Sequence, residues 1–375
     1  MADLDHDSFV APISPEAPAG VDLQTDEAGR ARRSAVRDLR EEARRMERQA
    51  DEGDAASGGW SAAIPVWRQV RDECREILTG VSRDTGIAAL LIEALSRTDG
   101  FAGLTSGFDA VRGMVESAWN QLYPAPDPED GPITDAMREE ERAMPLVRLA
   151  GLDSEGLLVP AIMRIPLTAD SGDGSLALCH FKSSRDLATE TDAEKIQLAV
   201  SRGATSPEQF AQVVRLTPVD FFRANFAALQ SARSAWDALS GAVYTASGGA
   251  SSLPVGAIRT LLEECDTAIR YFAPQSLPPE EAPEQAASTA AGPAAAAAPA
   301  GSISDRETAF RQLEQIAGFF ERNDPHSLLA AQLRNLVRLG RLPPAEYYRE
   351  MISDGSAAAA LFKLVGLHSP PAPES

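Results

Sequence analysis

The sequence predicts an all-α protein. Apolar residues recur at intervals of three and four positions through most of the 375 residues, which is the period of amphipathic helices. Between these stretches lie short segments rich in proline and glycine, the residues that end helices. One apolar stretch interrupted by prolines, residues 157–167 (LLVPAIMRIPL), is compatible with a strand or with an extended arm packed on the helices.

The charge and composition argue against several classes of protein, namely nucleic-acid-binding, membrane-inserted and secreted proteins. The formal net charge of −20 argues against binding to nucleic acids or anionic membranes, whose phosphates would repel such a surface. Residues 1–7 are acidic and carry no secretory signal, and the longest dense apolar stretch, residues 87–95, is too short to insert into a bilayer. Cys74 and Cys265 occupy apolar helix positions, so we expect buried, reduced thiols. These features together predict a cytoplasmic protein.

The N-terminal part predicts a lead-in followed by a helical domain. Residues 1–29 contain several prolines and little periodicity, and we expect them to lie extended across the first domain. That domain, predicted over residues 30–168, opens with a charged helix at 30–50 and continues with three amphipathic helices within 60–124. Each apolar stripe must be buried against its neighbours, so the tryptophans belong to the core. The residues that define this core and its turns are Trp60, Trp67, Leu90, Leu91, Gly100, Gly103, Leu104, Trp119, Leu122 and Pro124.

A linker and a middle helical domain follow. Residues 169–190 are polar and rich in Gly, Ser and Asp, which predicts a linker. The middle domain is predicted over residues 191–273. Ser206 is placed to cap a helix that begins at Pro207, and two long helices joined by a short loop form an antiparallel hairpin.

The C-terminal part predicts a tether and a small helical module. Residues 274–303 consist largely of Pro, Ala, Glu and Ser, so they cannot fold on their own. The module covers residues 304–367, and residues 368–375 form a tail. About 64 residues seldom bury enough apolar surface alone, so we expect copies to associate through this module. The residues expected to carry that contact are Phe310, Leu313, Ile316, Phe320, Pro325, Leu329, Leu333 and Leu336.

No catalytic, metal or cofactor motif is visible in the sequence. The four histidines lack ligand spacing, and there is no phosphate loop, His-Glu-x-x-His or Cys-x-x-Cys pattern. The acidic turn at 127–130 lacks the alternating oxygen ligands of a calcium loop. Cys179 and His180 are neighbours in sequence, which does not by itself form a nucleophile–base couple. We therefore predict no enzyme, no cofactor and no metal.

The charged helix at 30–50 has two interpretations. Between residues 30 and 48 there are eight arginines against four acids, a local positive excess on an acidic protein. The arginines either form a docking face for an acidic partner or are solvated and paired within the helix, as Glu41 and Arg45 would be. The residues of the candidate docking face are Arg33, Arg37, Arg40, Arg44 and Arg48.

An ordered series of features points to a family. Trp60 opens a helix, and the segments 81–84, 99–104, 119–124, 148–152 and 165–167 follow (VSRD, DGFAGL, WNQLYP, RLAGL and IPL). This series resembles the ImpA-like N-terminal domain of TssA proteins of the bacterial type VI secretion system, over residues 10–168. The family often has Lys where Arg83 stands.

The C-terminal module adds a second resemblance. Residues 306–320 and 322–327 (RNDPHS) are similar to the end of the shorter, baseplate-associated TssA class, with departures at Asp324 and Leu328. The resemblance implies a non-enzymatic assembly protein that forms a homo-oligomeric ring through its C-terminal module. It also implies recruitment of baseplate, tail-tube and sheath proteins during assembly of the contractile tail, and it allows contact with the membrane complex through protein partners.

Two other functions stay open from the residues alone. One is an all-helical adaptor unrelated to secretion that docks an acidic partner through the Arg-rich helix. The other is a helical enzyme whose acids, for example Asp84, Glu93 and Asp99, converge in space.

Overall fold

The computed structural model describes residues 4–51, 59–126, 132–151, 156–171, 174–201, 203–277, 310–311, 313–314, 317 and 329–342. Every regular element in these ranges is a helix, and β-type pairing there is limited to isolated bridges such as that between Gly20 and Ser82. The predicted all-α class is confirmed. The chain divides into two compact units, Met1–Ala282 and Pro283–Ser375.

The described residues of the first unit form twelve α-helices. Their bounds are α1 His6–Val10, α2 Glu27–Asp51, α3 Ile64–Gly80, α4 Thr85–Thr98, α5 Gly100–Ala118, α6 Asp135–Ala150, α7 Val159–Ile162, α8 Leu178–Thr189, α9 Ala193–Ser201, α10 Pro207–Leu216, α11 Val219–Ala246 and α12 Gly256–Phe272. Short 3₁₀ turns cover Trp60–Ala63, Trp119–Gln121 and Pro274–Ser276. None of the helices in the described ranges is long and apolar enough to cross a membrane.

Helix α4 lies at the centre of the first unit because it is apolar on nearly every side. Leu91 and Ile92 are fully buried, and helices α3, α5, α6 and α7 pack around it. Asp84 caps its start, since the carboxylate oxygen Oδ1 accepts a hydrogen bond from the backbone N–H of Ile87 at 2.9 Å. The sequence TGIAALLIEALSRT therefore forms a core helix rather than an amphipathic surface helix.

Glycines let α4 and α5 approach each other closely. A Cβ on Gly103 would overlap the backbone carbonyl of Leu95, and one on Gly107 would lie 3.2 Å from the side chain of Ile92. Gly100 adopts a φ of +61° in the turn between the two helices, a conformation that favours glycine. The expected turn is thus made by Gly100, while Gly103 and Gly107 serve helix packing.

Helix α11 joins the region predicted as a middle domain to the first helices. It packs along α5, and the rings of Phe108 on α5 and Trp236 on α11 lie with their centroids 5.2 Å apart. Buried residues from both regions form one continuous core. The two domains predicted at 30–168 and 191–273 therefore belong to one compact unit in the structure.

Two local predictions in the connecting region are wrong. The linker predicted at 169–190 contains helix α8, because the apolar run at 176–181 docks on the core and buries Leu178 and Phe181. The stretch 157–167 forms the short helix α7 rather than a strand or an extended arm, and its first turn accommodates Pro160. Pro166 then forms an isolated bridge with Ala177.

The lead-in packs on the first helices. It is not extended throughout, which corrects the prediction for residues 1–29, because α1 covers His6–Val10 and α2 already begins at Glu27. Phe9 and Leu23 are buried in the core. The guanidinium of Arg83 donates hydrogen bonds to the carbonyl oxygens of Ser8 at 2.8 Å and Ala11 at 2.6 Å. One buried arginine thus holds a segment more than seventy residues earlier in the chain.

In the second unit the described residues lie in two helical stretches that contact each other. Helix α13, Leu329–Arg341, lies against the ring of Phe310, so that a Cβ on Gly340 would be 2.7 Å from that ring. Arg341 pairs with Glu314 at 2.9 Å. The tether predicted at 274–303 lies outside the described residues from 278 onward, as do the tail at 368–375 and most of the module predicted at 304–367.

Candidate interaction surfaces

A buried network of ion pairs organises the Arg-rich helix α2. Arg40 donates to Glu93 on α4 through Nε at 2.6 Å and Nη2 at 3.2 Å. Arg97 on α4 donates to Glu47 on α2 at 2.6 Å, and the indole N–H of Trp67 on α3 donates to the same carboxylate at 2.7 Å. The Arg97 guanidinium also lies 4.2 Å from the centre of the Trp67 ring. Helices α2, α3 and α4 are therefore joined in the interior by ion pairs and by the indole hydrogen bond of Trp67.

The ion pairs of this network are buried, so their role is to stabilise the packing of the helices. Glu93 is fully buried, and Glu47 and Arg97 are 3% and 4% exposed at the side chain. A charge removed from water to this extent needs compensating partners, and each group here has at least two. The carboxylate of Glu93 also forms an ion pair with Arg97 at 3.3 Å, and that of Glu47 accepts a hydrogen bond from Arg44 at 3.4 Å. Arg40 and Arg44 are thereby turned toward the core.

The five arginines of the candidate docking face differ in whether they form ion pairs. Arg48 forms an ion pair with Glu41 at 2.8 Å on the solvent side of α2. The predicted partner of Glu41 was Arg45, so that prediction is wrong. Arg33 and Arg37 have no ion pair within 4.0 Å among the described residues. Partial burial lowers the pKa of Arg37, and the neighbouring charge of Arg33 lowers it further. Of the five arginines, these two form no ion pair within 4.0 Å among the described residues, although both interact electrostatically with the carboxylate of Asp84.

Trp60 is not a core residue, which corrects one prediction. The helix begins at Ile64, so Trp60 lies in the preceding 3₁₀ turn and is only partly buried. Its ring is covered by the guanidinium of Arg164 at 3.6 Å from the centroid, and its indole N–H donates to Asp51 at 3.0 Å. Arg164 also forms an ion pair with Asp51. Trp60 thus closes a surface contact between α2 and the segment after α7.

Most other predicted core residues are buried. Trp67, Leu91 and Leu104 have no exposed surface, and Leu122 and Trp119 are 2% and 4% exposed. The indole of Trp119 donates to the carboxylate of Glu139 on α6. Pro124 is buried next to Tyr123, and Leu90 is half-buried against the core.

In the described part of the C-terminal module, some residues of the apolar stripe are buried or half-buried and one is exposed. Ala317 and Val337 are buried, Phe310, Leu313 and Leu333 are half-buried, and Leu336 is 60% exposed. Leu336 therefore points away from the contact between α13 and Phe310. The side chain of Leu329 and the residues Ile316, Phe320 and Pro325 lie outside the described part of the chain.

An aromatic groove lies between α8, α10 and the end of α12, where the sequence predicted no site. Phe181, Phe210, Tyr271 and Phe272 line a cavity of about 400 Å³, with ring centroids 5.4 to 5.8 Å apart. Two sequence signals mark it: an adjacent pair of aromatic residues ends an amphipathic helix, and Phe181 ends the short apolar run at 176–181 within the otherwise polar segment 169–190.

The acids proposed for a helical enzyme have structural partners instead. Glu93 belongs to the buried network, and Asp99 accepts from Arg71 at 3.2 Å and from Thr98 at 2.7 Å. Asp84 caps α4. In the part of the chain that the structure describes, no three His, Cys, Asp or Glu side chains come together as metal ligands.

The cysteines agree with the prediction of buried thiols. Cys74 and Cys265 are fully buried and unpaired, and burial raises the pKa of both thiols. Cys179 is partly buried, and its Sγ lies 3.6 Å from Nδ1 of His180. Burial raises the pKa of Cys179 and lowers that of His180, so each group is held in its neutral form. That combination disfavours a thiolate nucleophile.

Comparison with known proteins agrees with this architecture. The family described as ImpA, N-terminal, type VI secretion system matches residues 10–151. The type VI secretion system component TssA1 of Pseudomonas aeruginosa is 30% identical over 362 residues, which cover 94% of this chain and 96% of that protein. The N-terminal domain of the TssA component from Burkholderia cenocepacia, including its conserved ImpA_N region, superposes with a TM-score of 0.55. It is 22% identical and covers 72% of this chain and 94% of its own, so it shows that the fold is shared.

The chain belongs to the TssA family of type VI secretion system components. The match to the Pseudomonas protein runs through both compact units. The predicted family is therefore confirmed.

Proposed function

We propose that this protein is a non-enzymatic assembly component of a type VI secretion system, acting in the cytoplasm. Copies associate into a ring through the C-terminal module, and the first unit recruits baseplate, tail-tube and sheath proteins. It corresponds to the shorter, baseplate-associated class. The observation that carries the proposal is the end-to-end similarity to a type VI component, which includes the small second unit.

The properties of the first unit support an assembly role. Its buried acids Glu93 and Glu47 hold helices together, and each is compensated by arginines. The second unit carries an exposed leucine, Leu336, on a helix in which Val337 is buried and Leu333 is half-buried. A ring that presents several copies of the first unit would bind multivalent partners with an avidity beyond that of each contact.

The test of the ring is the mass of the full-length chain in solution. Light scattering after size exclusion should give a multiple of 39.9 kDa at micromolar concentration. Leu336→Asp should lower that mass, because a carboxylate cannot be buried cheaply in an apolar contact. Leu198→Asp is the matched control, since Leu198 lies in the first unit and is 51% exposed, close to the 60% of Leu336. A wild-type monomer, or equal behaviour of the two variants, would overturn the ring.

The docking face on α2 has its own test. We propose that Arg33 and Arg37 contact an acidic surface of a baseplate or sheath subunit, since they are the arginines of α2 named above that lack a carboxylate within 4.0 Å. The double variant Arg33→Glu/Arg37→Glu should lose binding to purified subunits in a pull-down. Arg68→Glu/Arg75→Glu, which reverses two exposed arginines on α3, should bind as wild type. Equal binding by both double variants would count against this face.

A further inference from the structure

We propose that the aromatic groove binds a short acidic segment of a partner protein that carries a bulky apolar side chain. The groove is formed by α8, α10 and the end of α12, and is distinct from the α2 surface and from the C-terminal module. Its cavity of about 400 Å³ falls within the range of about 300–1,000 Å³ that is usual for binding pockets. The described lining of the groove lies in the first unit, whereas ring formation is assigned to the second unit, so binding is measured with a probe peptide and not through the mass of the assembly.

The floor of the groove selects an apolar side chain. Phe181 and Phe210 are 8% and 6% exposed, and Phe272 contacts both rings and the ring of Phe222. The floor is therefore a packed layer of ring edges and faces, whose positions are fixed by the core beneath. Fixed aromatic surfaces lose little conformational entropy when a partner side chain packs on them.

The rim of the groove contains residues typical of binding hot spots. Tyr271 is 66% exposed, and its hydroxyl has no hydrogen-bond partner among the described residues. The guanidinium of Arg185 lies 5.3 Å from the centre of the Tyr271 ring and 5.8 Å from that of Phe181. Tyrosine and arginine are enriched where interfaces gain most of their binding energy. The apolar surface also continues along the chain to Leu216, which is 57% exposed.

The charge of the groove selects an acidic partner. Arg185 and Arg215 line it and are exposed, and neither has an ion pair within 4.0 Å in the described ranges. The described lining contains no carboxylate, although the protein as a whole has a net charge of −20. A positive, aromatic groove on an acidic protein complements carboxylates that flank an apolar anchor.

The experiment measures binding of a defined probe to the full-length chain. The probe is a fluorescein-labelled peptide with a leucine–phenylalanine pair flanked by glutamates, followed by fluorescence anisotropy. Two comparison peptides replace the glutamates by lysines or the apolar pair by alanines. The glutamate probe should bind at least about tenfold more tightly than either comparison peptide. Its affinity should fall as salt is raised, because surface charges are screened.

Variants locate the binding. Arg185→Glu and Tyr271→Ala should each weaken binding of the glutamate probe about tenfold. Both residues are exposed, so neither change should unfold the protein. The matched controls are Arg75→Glu on α3 and Tyr244→Ala, whose tyrosine is 57% exposed. Both should bind as wild type.

Several outcomes would overturn the assignment. One is equal binding of the glutamate and lysine peptides, and another is unchanged affinity in Arg185→Glu and Tyr271→Ala. Absence of binding up to about 1 mM probe would have the same consequence. The chain's own acidic segment 277–284 (LPPEEAPE) follows the groove in sequence. If Glu280→Lys/Glu281→Lys/Glu284→Lys tightens probe binding tenfold, that segment is the occupant and a partner protein is not.

Discussion

Arg97 donates to the carboxylate of Glu47 at 2.6 Å, although the two residues are 50 positions apart in the chain. The contact crosses from the central helix α4 to the Arg-rich helix α2, and both side chains are buried. It contributes to the packing of α2, which is charged along most of its length, on the core. The helix is held by specific ion pairs in addition to Val36 and Ala43.

Neutralising Glu47 should destabilise the first unit. Glu47→Gln removes the charge that compensates Arg97, and breaking a buried pair in this way costs about 3–5 kcal/mol. We expect a loss of about 3 kcal/mol in the free energy of unfolding, because Arg97 keeps Glu93 as a partner. Urea unfolding followed by tryptophan fluorescence measures it, since all four tryptophans lie between residues 60 and 236.

The control for Glu47 is Glu42→Gln on the same helix. Glu42 is exposed and lies 4.0 Å from an exposed arginine, so its loss should change the free energy of unfolding by less than about 0.5 kcal/mol. If the two variants were equally stable, the buried network would not be what holds α2.

Enlarging Gly103 should separate α4 from α5. The added methyl group of Gly103→Ala overlaps the carbonyl of Leu95, so the helices must shift, at a cost of about 1–3 kcal/mol. Gly241→Ala on α11 is the matched control, because no atom lies within 4 Å of its added Cβ. That variant should be more stable than wild type by up to about 1 kcal/mol. Thermal unfolding midpoints that move in the same direction for both variants would contradict the close approach.

Removing Arg83 should release the lead-in. Arg83→Ala leaves the carbonyl oxygens of Ser8 and Ala11 without their buried donor, and hydrogen bonds to charged groups contribute about 1.5–3 kcal/mol each. We expect a loss of about 3 kcal/mol in stability and faster hydrogen exchange at residues 4–23. Arg68→Ala, an exposed arginine on α3, is the control and should leave exchange there unchanged. Unaltered exchange in Arg83→Ala would show that apolar contacts such as those of Phe9 and Leu23, with the backbone hydrogen bonds, hold the lead-in without this side chain.

Asp84 should give the protein a pH-dependent stability. Burial raises the pKa of Asp84, whose Oδ2 has no hydrogen-bond partner among the residues that the structure describes. A carboxyl with a raised pKa in the fold contributes most stability below its ordinary value of 3.8, and that stability is lost as the pH rises through the folded pKa. Asp84→Asn cannot ionise and keeps an oxygen that can cap α4.

We therefore expect Asp84→Asn to be more stable than wild type near neutral pH, with the difference shrinking as the pH is lowered toward about 3. Urea unfolding at several pH values measures the difference. Asp38→Asn, on the exposed face of α2, should show little difference across the same range. A difference for Asp84→Asn that grows toward low pH would mean that the carboxylate is stabilised in the fold.

Local features of the sequence predicted the helices well because their causes are local. The cap at Ser206 is present, since its Oγ accepts from the backbone N–H of Gln209 at 3.2 Å. Trp67 and Leu104 stand on the apolar stripes that are buried. The prediction that Trp60 belongs to the core was wrong because a 3₁₀ turn precedes the helix, so the Trp60 ring does not lie on the apolar stripe of that helix.

The candidate surfaces were less predictable. The excess of arginine on α2 was visible in the sequence, yet nothing local showed that Arg40 turns inward to Glu93 while Arg37 does not. A single acid in the apolar run of α4 was the available signal for a buried ion pair. The aromatic groove combines residues from 181 to 272, so no window of sequence contains it.

The amino-acid sequence by itself determined the all-α class, the helices and the family, because periodicity, caps and an ordered series of motifs are properties of neighbouring residues. Tertiary structure alone decided that residues 30–168 and 191–273 share a core, which arginines remain unpaired, and where aromatic side chains meet at the surface. Those outcomes depend on contacts between residues far apart in the chain. Burial then sets the energy of each charge, and burial is a property of the assembled helices.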